Sequence, residues 1–152
     1  MDVALPADKF ACAYEPATAT LRGSWAGPVA AATLPACYAQ LLAMAQAHGA
    51  CRFWLLDMQQ RDWHDAAFAQ WFGEYFVPQV SAVLGQPLFM ACVVRPAQRL
   101  QVEDGRTELL LRRAAAFTIF PFYFDNAAHA HAWLRDQQTG DRSLARRAAT
   151  SY

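Results

Sequence analysis

The clearest feature of the hydrophobic pattern is a short apolar segment, CRFWLLD, at residues 51–57. It follows a glycine and an alanine, ends in an acid, and has an amphipathic helical pattern on each side. Apolar residues at consecutive positions predict a strand that is buried on both faces, and the flanking helices make it part of a βαβ unit. The segment therefore predicts an α/β fold.

A β-hairpin is predicted near the start of the chain. Residues 9–14 and 18–25 alternate loosely between apolar and polar positions. The turn signal Glu15-Pro16 separates them, so the two segments are expected to form antiparallel strands.

A helix is predicted between the hairpin and the central strand. It ends at Gly49, a residue type that favours the position after a helix. Pro35 lies either in the first turn behind an N-cap at Thr33, or at a kink in a helix that begins near Val29. The apolar stripe of this helix is formed by Leu34, Tyr38, Leu41, Leu42 and Ala45.

A second helix is predicted from Asp65, as N-cap, to Leu84. Pro78 predicts a bend in this helix, because proline removes one backbone hydrogen bond and crowds the preceding turn. Its apolar face is unusually aromatic and contains Phe68, Trp71, Phe72, Tyr75 and Phe76.

Two further strands are predicted in the second half of the chain. Residues 88–94 are apolar throughout, and residues 117–124 form an aromatic strand. Pro121 places the latter at a sheet edge or at a bulge, because proline cannot donate to the ladder. Residues 96–116 are predicted to form one broken helix or two short helices.

The last predicted helix begins at a cap formed by Asp125 or Asn126 and runs through Leu134. The element order is then ββαβαβαβα. We expect a single α/β domain at residues 1–136, with a mixed β-sheet and helices on both faces. Residues 137–152 are polar and are predicted to form a flexible tail.

Composition limits the classes of function. The chain has 152 residues, 55% hydrophobic and 17% charged, and its formal net charge is zero. A neutral chain lacks the surplus of cations that nucleic-acid binding requires. Residues 30–47 contain proline and glutamines and do not predict a membrane span. We therefore expect neither a nucleic-acid partner nor a membrane partner.

The cysteines predict reduced thiols in a cytoplasmic protein. They lie far apart without a C-x-x-C pair, and the first residues do not form a secretory segment. Without a paired base in view, we expect them to be buried apolar residues rather than nucleophiles. They are Cys12, Cys37, Cys51 and Cys92.

Several structural positions together indicate a family. They are Trp25, Gly27, Leu55, Leu56, Asp57, Trp71, Pro78, Phe124, Asp125, Ala128, Ala132, Trp133 and Leu134. With these residues the chain resembles the SpoIIAA-like, or STAS/Sec14-type, bacterial domains up to about residue 137. The resemblance implies a sheet with packed helices, and relatives that act as non-enzymatic regulators or hold apolar ligands.

The chain departs from that family at one position that is important for the function of its relatives. Relatives of the anti-sigma-factor-antagonist type carry a phosphorylatable serine or threonine at the start of the helix after the central strand. Residues 61–67 here read RDWHDAA and contain no hydroxyl group. A serine phosphoswitch, in which added charge breaks an interface, cannot operate there.

A cluster of polar residues follows the central strand. Ligands of open α/β sheets bind at the carboxyl ends of strands where the strand order reverses. A suitable place is therefore occupied by Asp57, Asp62, His64 and Asp65, the last of which is also the predicted helix cap. Histidine with carboxylates could transfer protons or bind a metal. The spacing fits no ligand pattern, however, and Asp57 could simply accept loop amides. We therefore expect no catalytic residue, no metal and no cofactor here.

The two histidines of the last helix are also poor metal ligands. His129 and His131 are two residues apart, so on a helix they point about 200° apart. We expect one of them at the surface and the other at an interface or partly buried.

The aromatic residues lead to the functional hypotheses. Most should be core, and the remainder could line a ligand cavity or a protein interface. We predict a non-catalytic module that binds a protein partner or itself. The alternatives are a binder of an apolar small molecule between the 65–84 helix and the sheet, and an enzyme that uses His64 with Asp57 or Asp62. The predicted binding residues are Asp57, Arg61, Asp62, Trp63, His64, Trp71 and Tyr75.

Overall fold

The computed structural model describes residues 9–61, 66–98 and 118–150. The strands are β1 (Phe10–Glu15), β2 (Thr20–Trp25), β3 (Phe53–Asp57), β4 (Leu88–Val93) and β5 (Ile119–Phe124). The α-helices are α1 (Leu34–Ala47), α2 (Ala66–Trp71), α3 (Val77–Leu84) and α4 (Ala127–Thr150). A 3-10 turn (Ala31–Thr33) precedes α1, and a π-helical turn (Phe72–Phe76) joins α2 to α3.

The strands form one mixed sheet in the order β1-β2-β3-β4-β5. β1 is antiparallel to β2, which confirms the predicted hairpin, and all other neighbours are parallel. The predicted central strand is therefore confirmed, because β3 has two strands on each side. Trp54 and Leu56 are fully buried and Leu55 nearly so.

The side chains of β3 alternate between two apolar layers. Trp54 and Leu56 belong to the larger cluster, which lies against α1, α2 and α3. Leu55 belongs to a smaller cluster that contains Ala130 and Leu134 of α4. Helices thus pack on both faces of the sheet, as predicted for an α/β domain.

The start of α1 resolves the position of Pro35. This proline lies in the first turn of the helix, where its missing N–H costs nothing. Thr33 precedes the helix but makes no capping bond, because its hydroxyl donates to the carbonyl of Ala30 at 2.7 Å. At the other end, Gly49 adopts a φ of +72°, which confirms it as the glycine that ends the helix.

The predicted 65–84 helix is interrupted before Pro78. In the π-helical turn the N–H of Val77 reaches back to the carbonyl of Phe72. Pro78 then lies in the first turn of α3, where a residue without an N–H is tolerated because no intrahelical acceptor is available there. The disturbance at Pro78 takes the form of a π turn, and the predicted N-cap Asp65 lies outside the described residues.

Strand β5 occupies the edge predicted for a strand with Pro121, and Asn126 caps the helix after it. The Asn126 Oδ1 atom accepts a hydrogen bond from the backbone N–H of His129 at 2.9 Å. Residues 96–98 begin a helical turn, and the rest of the segment predicted as one or two helices lies outside the described part of the chain.

The prediction of a polar tail from residue 137 is corrected by the structure, because α4 continues to Thr150. Polar contacts hold this second half of the helix. Asp141 pairs with Arg52 at 2.7 Å, and the Gln138 amide donates to the carbonyl of Thr18 at 2.9 Å. An apolar stripe would have revealed such docking in the sequence, whereas polar contacts leave no periodic pattern.

None of the helices in the described part of the chain is both long and apolar enough to cross a lipid bilayer.

Close packing of α1 on the sheet requires a glycine at position 23. A Cβ atom there would lie 2.9 Å from Leu56 Cδ2 and 3.0 Å from Leu41 Cδ2, and both leucines are fully buried. We expect Gly23→Val to lower the free energy of unfolding by about 1–3 kcal/mol through overpacking. Urea unfolding followed by circular dichroism measures this. Gly27→Val is the control, because nothing lies within 4 Å of its Cβ position; equal stability of the two variants would contradict the prediction.

Candidate functional site

The carboxyl ends of β2 and β3 meet at one edge of the sheet, where the sequence predicted a site. The strand order is sequential, so the described strands contain no reversal of the kind that opens a crevice in doubly wound sheets. Asp57, the last residue of β3, is half-buried, and its Oδ1 atom accepts the backbone N–H of Gln59 at 3.1 Å. This bond is the amide contact that the sequence suggested as the simple alternative to chemistry.

Arg61 is the most unusual residue at this edge, because only 1% of its surface is exposed. Its guanidinium carbon lies 4.3 Å from the ring centre of Trp25 and 5.8 Å from that of Tyr38. The Nη2 atom donates to the hydroxyl oxygen of Tyr38 across 3.4 Å. The sequence named Arg61 as a binding residue, and the structure places its guanidinium against the rings of Trp25 and Tyr38, which we call the aromatic cage.

Gln98 holds the turn that carries Arg61. Its amide nitrogen donates to the carbonyls of Met58 and Arg61, both at 2.9 Å. Its amide oxygen accepts the backbone N–H of Arg95 at 2.7 Å. Gln98 is itself buried, so it fixes the turn in a water-free environment. Sequence reasoning missed this residue, since a lone glutamine after a strand gives no periodic signal.

Several predicted site residues cannot be compared with the structure. Asp62, Trp63 and His64 lie outside the described residues, so the pairing of His64 with Asp57 or Asp62 stays a prediction. Within the described ranges, 9–61, 66–98 and 118–150, no three metal-ligating side chains come together.

The aromatic face of α2 and the π turn lies mainly in the core. Phe68, Phe72 and Phe76 are buried, and their ring centres lie 5.3–6.0 Å from that of Tyr38. The predicted residue Trp71 is half-buried and stacks on Phe76. Between these turns of helix and the rest of the core, the described rings contact one another closely.

Tyr75, also predicted as a binding residue, is 59% exposed. It therefore lies away from this packed cluster, and the structure does not bring it together with Arg61 in one site.

A second group of rings lies on the other face of the sheet. Phe53, Phe89 and Phe120 occupy matching positions on β3, β4 and β5, and neighbouring rings stack at 5.5 and 5.6 Å. Trp133 of α4 packs over this side of the sheet. We call the group at its outer end the β5 aromatic surface, formed by Phe120, Phe122, Phe124 and Trp133.

Phe122 is the exposed member of the β5 aromatic surface. Half of its side chain (50%) is accessible to solvent, and its ring lies 4.7 Å from that of Trp133. The ring of Phe124 lies 5.8 Å from Trp133 on the same side. Sequence reasoning could not separate Phe122 from its neighbours, because alternate residues of one strand share a face.

Pro121 changes the chemistry of the β5 edge. The carbonyls of Thr118 and Phe124 accept hydrogen bonds from Leu88 of β4 and from Val94, which directly follows β4. The even-numbered residues of β5 therefore direct their main-chain groups toward β4. In a parallel ladder the odd-numbered residues then face outward. Pro121 removes the middle outward donor, which disfavours pairing with a further strand.

A groove of about 730 Å³ lies between α4 and the β1–β2 turn. His131 lines this groove, whereas the Nδ1 atom of the His129 ring lies 3.3 Å from the side-chain amide nitrogen of Asn126. The two histidines are thus directed to different surroundings, in keeping with their predicted divergence. The remaining polar lining residues are Glu15, Thr18, Thr20, Arg135, Gln138, Asp141 and Arg142.

Cys37, Cys51 and Cys92 are buried, as predicted, whereas Cys12 is only half-buried. Burial raises the pKa of the Cys12, Cys37 and Cys51 thiols above the ordinary value of 9.0. Raised values oppose formation of the thiolate, so these three sulfur atoms are poor nucleophiles at neutral pH.

Comparisons of the chain with protein-family models, with curated proteins and with solved structures give no match. The resemblance to SpoIIAA-like domains therefore stays a prediction.

Restoring the missing donor at position 121 should open the sheet edge to strand pairing. We expect Pro121→Val to form higher oligomers or aggregates more readily than wild type. Size-exclusion chromatography and thioflavin T fluorescence measure this. Pro28→Val, at an exposed loop proline, is the control. A Pro121→Val protein that elutes like wild type would contradict the assignment of the edge.

Alkaline pH should destabilise the protein through its buried thiols and Tyr38. Burial raises the pKa of Tyr38 above 10.0, and the nearby Arg61 cation only partly opposes this. The folded state keeps protons that the unfolded chain releases, so this stability is complete below about pH 9 and is lost as the pH rises.

We therefore expect the free energy of unfolding to fall above pH 9, by up to about 1.4 kcal/mol per group and pH unit. Urea titrations at several pH values measure the slope. Tyr38→Phe should reduce the fall in the free energy of unfolding above about pH 10. Tyr75→Phe, at an exposed tyrosine, should leave this fall as in wild type. A stability that is constant up to pH 11 would contradict this account.

Proposed function

We propose that this protein is a non-catalytic interaction module that contacts a second copy of itself through the β5 aromatic surface. The observation that carries this proposal is the half-exposed ring of Phe122 resting on Trp133. Aromatic side chains are common anchors of protein interfaces, since they bury large areas and lose little conformational entropy.

The size of the exposed ring supports a useful binding energy. A phenylalanine buries about 150–250 Å² when fully covered, so half of it amounts to about 100 Å². At about 25 cal/mol per Å², covering the exposed half contributes about 2–3 kcal/mol per ring. A symmetric contact uses this ring twice, because each copy offers the same surface.

Charge and backbone chemistry support a contact made by side chains. The formal net charge is zero, so two copies are not held apart by overall repulsion. Pro121 disfavours extension of the sheet, which leaves the rings rather than the edge main chain to make the contact. The resemblance to SpoIIAA-like domains supports the same class of function, because those relatives include non-enzymatic regulators.

The catalytic alternative gains no support from the described residues. The carboxylate of Asp57 is engaged with the backbone of Gln59, and burial raises the pKa of three cysteine thiols. The enzyme hypothesis thus depends on Asp62 and His64, which lie outside the described ranges.

Removal of the Phe122 ring tests the proposal. We expect wild type to form a dimer in sedimentation velocity experiments over a wide concentration range. Phe122→Ser should weaken dimerisation by roughly 1,000-fold, because a symmetric dimer loses the ring twice and with it about 4 kcal/mol of apolar burial. Tyr75→Ser is the matched control, since it removes the other strongly exposed ring of the described residues and should leave dimerisation unchanged.

Two results would contradict the proposal. The first is a wild-type protein that stays monomeric at every concentration. The second is a Phe122→Ser protein, folded by circular dichroism, that associates as tightly as wild type.

A further inference from the structure

Arg61 carries hydrogen-bond donors that its surroundings do not use. A guanidinium has five N–H bonds, one on Nε and two on each Nη atom. Only Nη2 finds a described acceptor, the Tyr38 hydroxyl at the long distance of 3.4 Å. Nε and Nη1, with three N–H bonds between them, are covered from solvent and have no acceptor in the described part of the chain.

Among the described residues, no carboxylate forms an ion pair with the positive charge of Arg61 either. The two ion pairs found among the described residues join Arg22 to Glu15 and Arg52 to Asp141, and neither includes Arg61. Stacking on Trp25 and Tyr38 offers some compensation, because aromatic faces attract cations. Desolvation of an ion costs more than such contacts return unless an anion completes the pair.

We propose that Arg61 binds the carboxylate of an apolar organic acid. The carboxylate would accept hydrogen bonds from the free guanidinium donors, and the hydrocarbon part would lie against the aromatic cage. A carboxylate fits better than phosphate, because the described contacts of the guanidinium are rings and a hydroxyl, with no second cation. One negative charge therefore balances the site.

The surrounding backbone holds Arg61 ready for such a ligand. Gln98 fixes the turn at Met58 and Arg61 through two hydrogen bonds of 2.9 Å. The turn that carries Arg61 is thus held through its backbone, and the Nε and Nη1 donors of the guanidinium are not used for this. Because Nε and Nη1 are covered from solvent, the ligand enters through a local opening, and the closed pair then lies in a low dielectric, where its attraction is strong.

This site goes beyond the proposed function. Arg61 lies at the carboxyl edge of the sheet among residues of the larger core, whereas the β5 aromatic surface lies on the opposite face. Dimerisation and ligand binding can each succeed or fail alone.

The wild-type protein tests the ligand class without any substitution. Thermal unfolding is measured with sodium octanoate, with octanamide and with inorganic phosphate. We expect octanoate alone to raise Tm, by about 5–10 °C at a concentration of 100 times Kd, and to change tryptophan fluorescence. Equal stabilisation by octanamide would mean that the site does not recognise the negative charge of the carboxylate. Stabilisation by phosphate alone would assign the site to a different anion. Either result, or no effect of octanoate, overturns the proposal.

A substitution separates binding from a structural role. Without ligand, Arg61→Met should melt at the same temperature as wild type or higher, because it removes a buried charge that has no ion-pair partner in the described part of the chain. It should also lose the octanoate shift, whereas Arg22→Met, at an exposed arginine, should keep it.

A lower Tm of unliganded Arg61→Met, or an octanoate shift that it retains, would overturn the proposal. Arg61→Lys provides the second variant, since it keeps the charge with fewer and differently placed donors. It should bind octanoate more weakly than wild type, and unchanged affinity would count against recognition by the guanidinium.

Discussion

The alternating side chains of β3 connect the two halves of the hydrophobic core. Trp54 and Leu56 enter the layer under α1, α2 and α3, and Leu55 enters the layer under α4. A strand that is covered on both faces cannot shift by one residue without exchanging its two sets of side chains. The register of β3 therefore fixes where α1 meets Gly23 and where the turn after Asp57 begins.

Much of the fold could be predicted from the sequence because buried apolar residues recur at regular spacings along strands and helices. The apolar strand at 51–57, the hairpin before it and the α1 stripe all follow from spacing, and the structure confirms them. The second half of α4 left no such period, since Asp141 and Gln138 attach it by polar contacts. The π turn before Pro78 was equally hidden, because the sequence shows that a proline disturbs a helix but not how the backbone adapts.

The candidate sites show a different limit. The sequence placed Arg61 near the carboxyl end of β3, but an arginine is usually exposed, and nothing in its neighbours predicts burial against Trp25 and Tyr38. That burial depends on residues distant in the chain, including Gln98 behind the turn. The exposure of Phe122 is also a tertiary property, because it depends on how α4 crosses β5. Local pattern identifies the residue types, and only the fold decides which of them contact one another.

The unequal layers have a mechanical consequence. α1 attaches to the sheet through six buried side chains, whereas the described part of α4 contributes Ala130 and Leu134 as its fully buried ones. Thermal fluctuations would therefore detach α4 before they disturb the helices of the opposite layer. Such a detachment would bare the stacked row of Phe53, Phe89 and Phe120. The long polar helix thus covers a row of aromatic side chains on the sheet, and the Arg52–Asp141 ion pair joins this helix to the residue before β3.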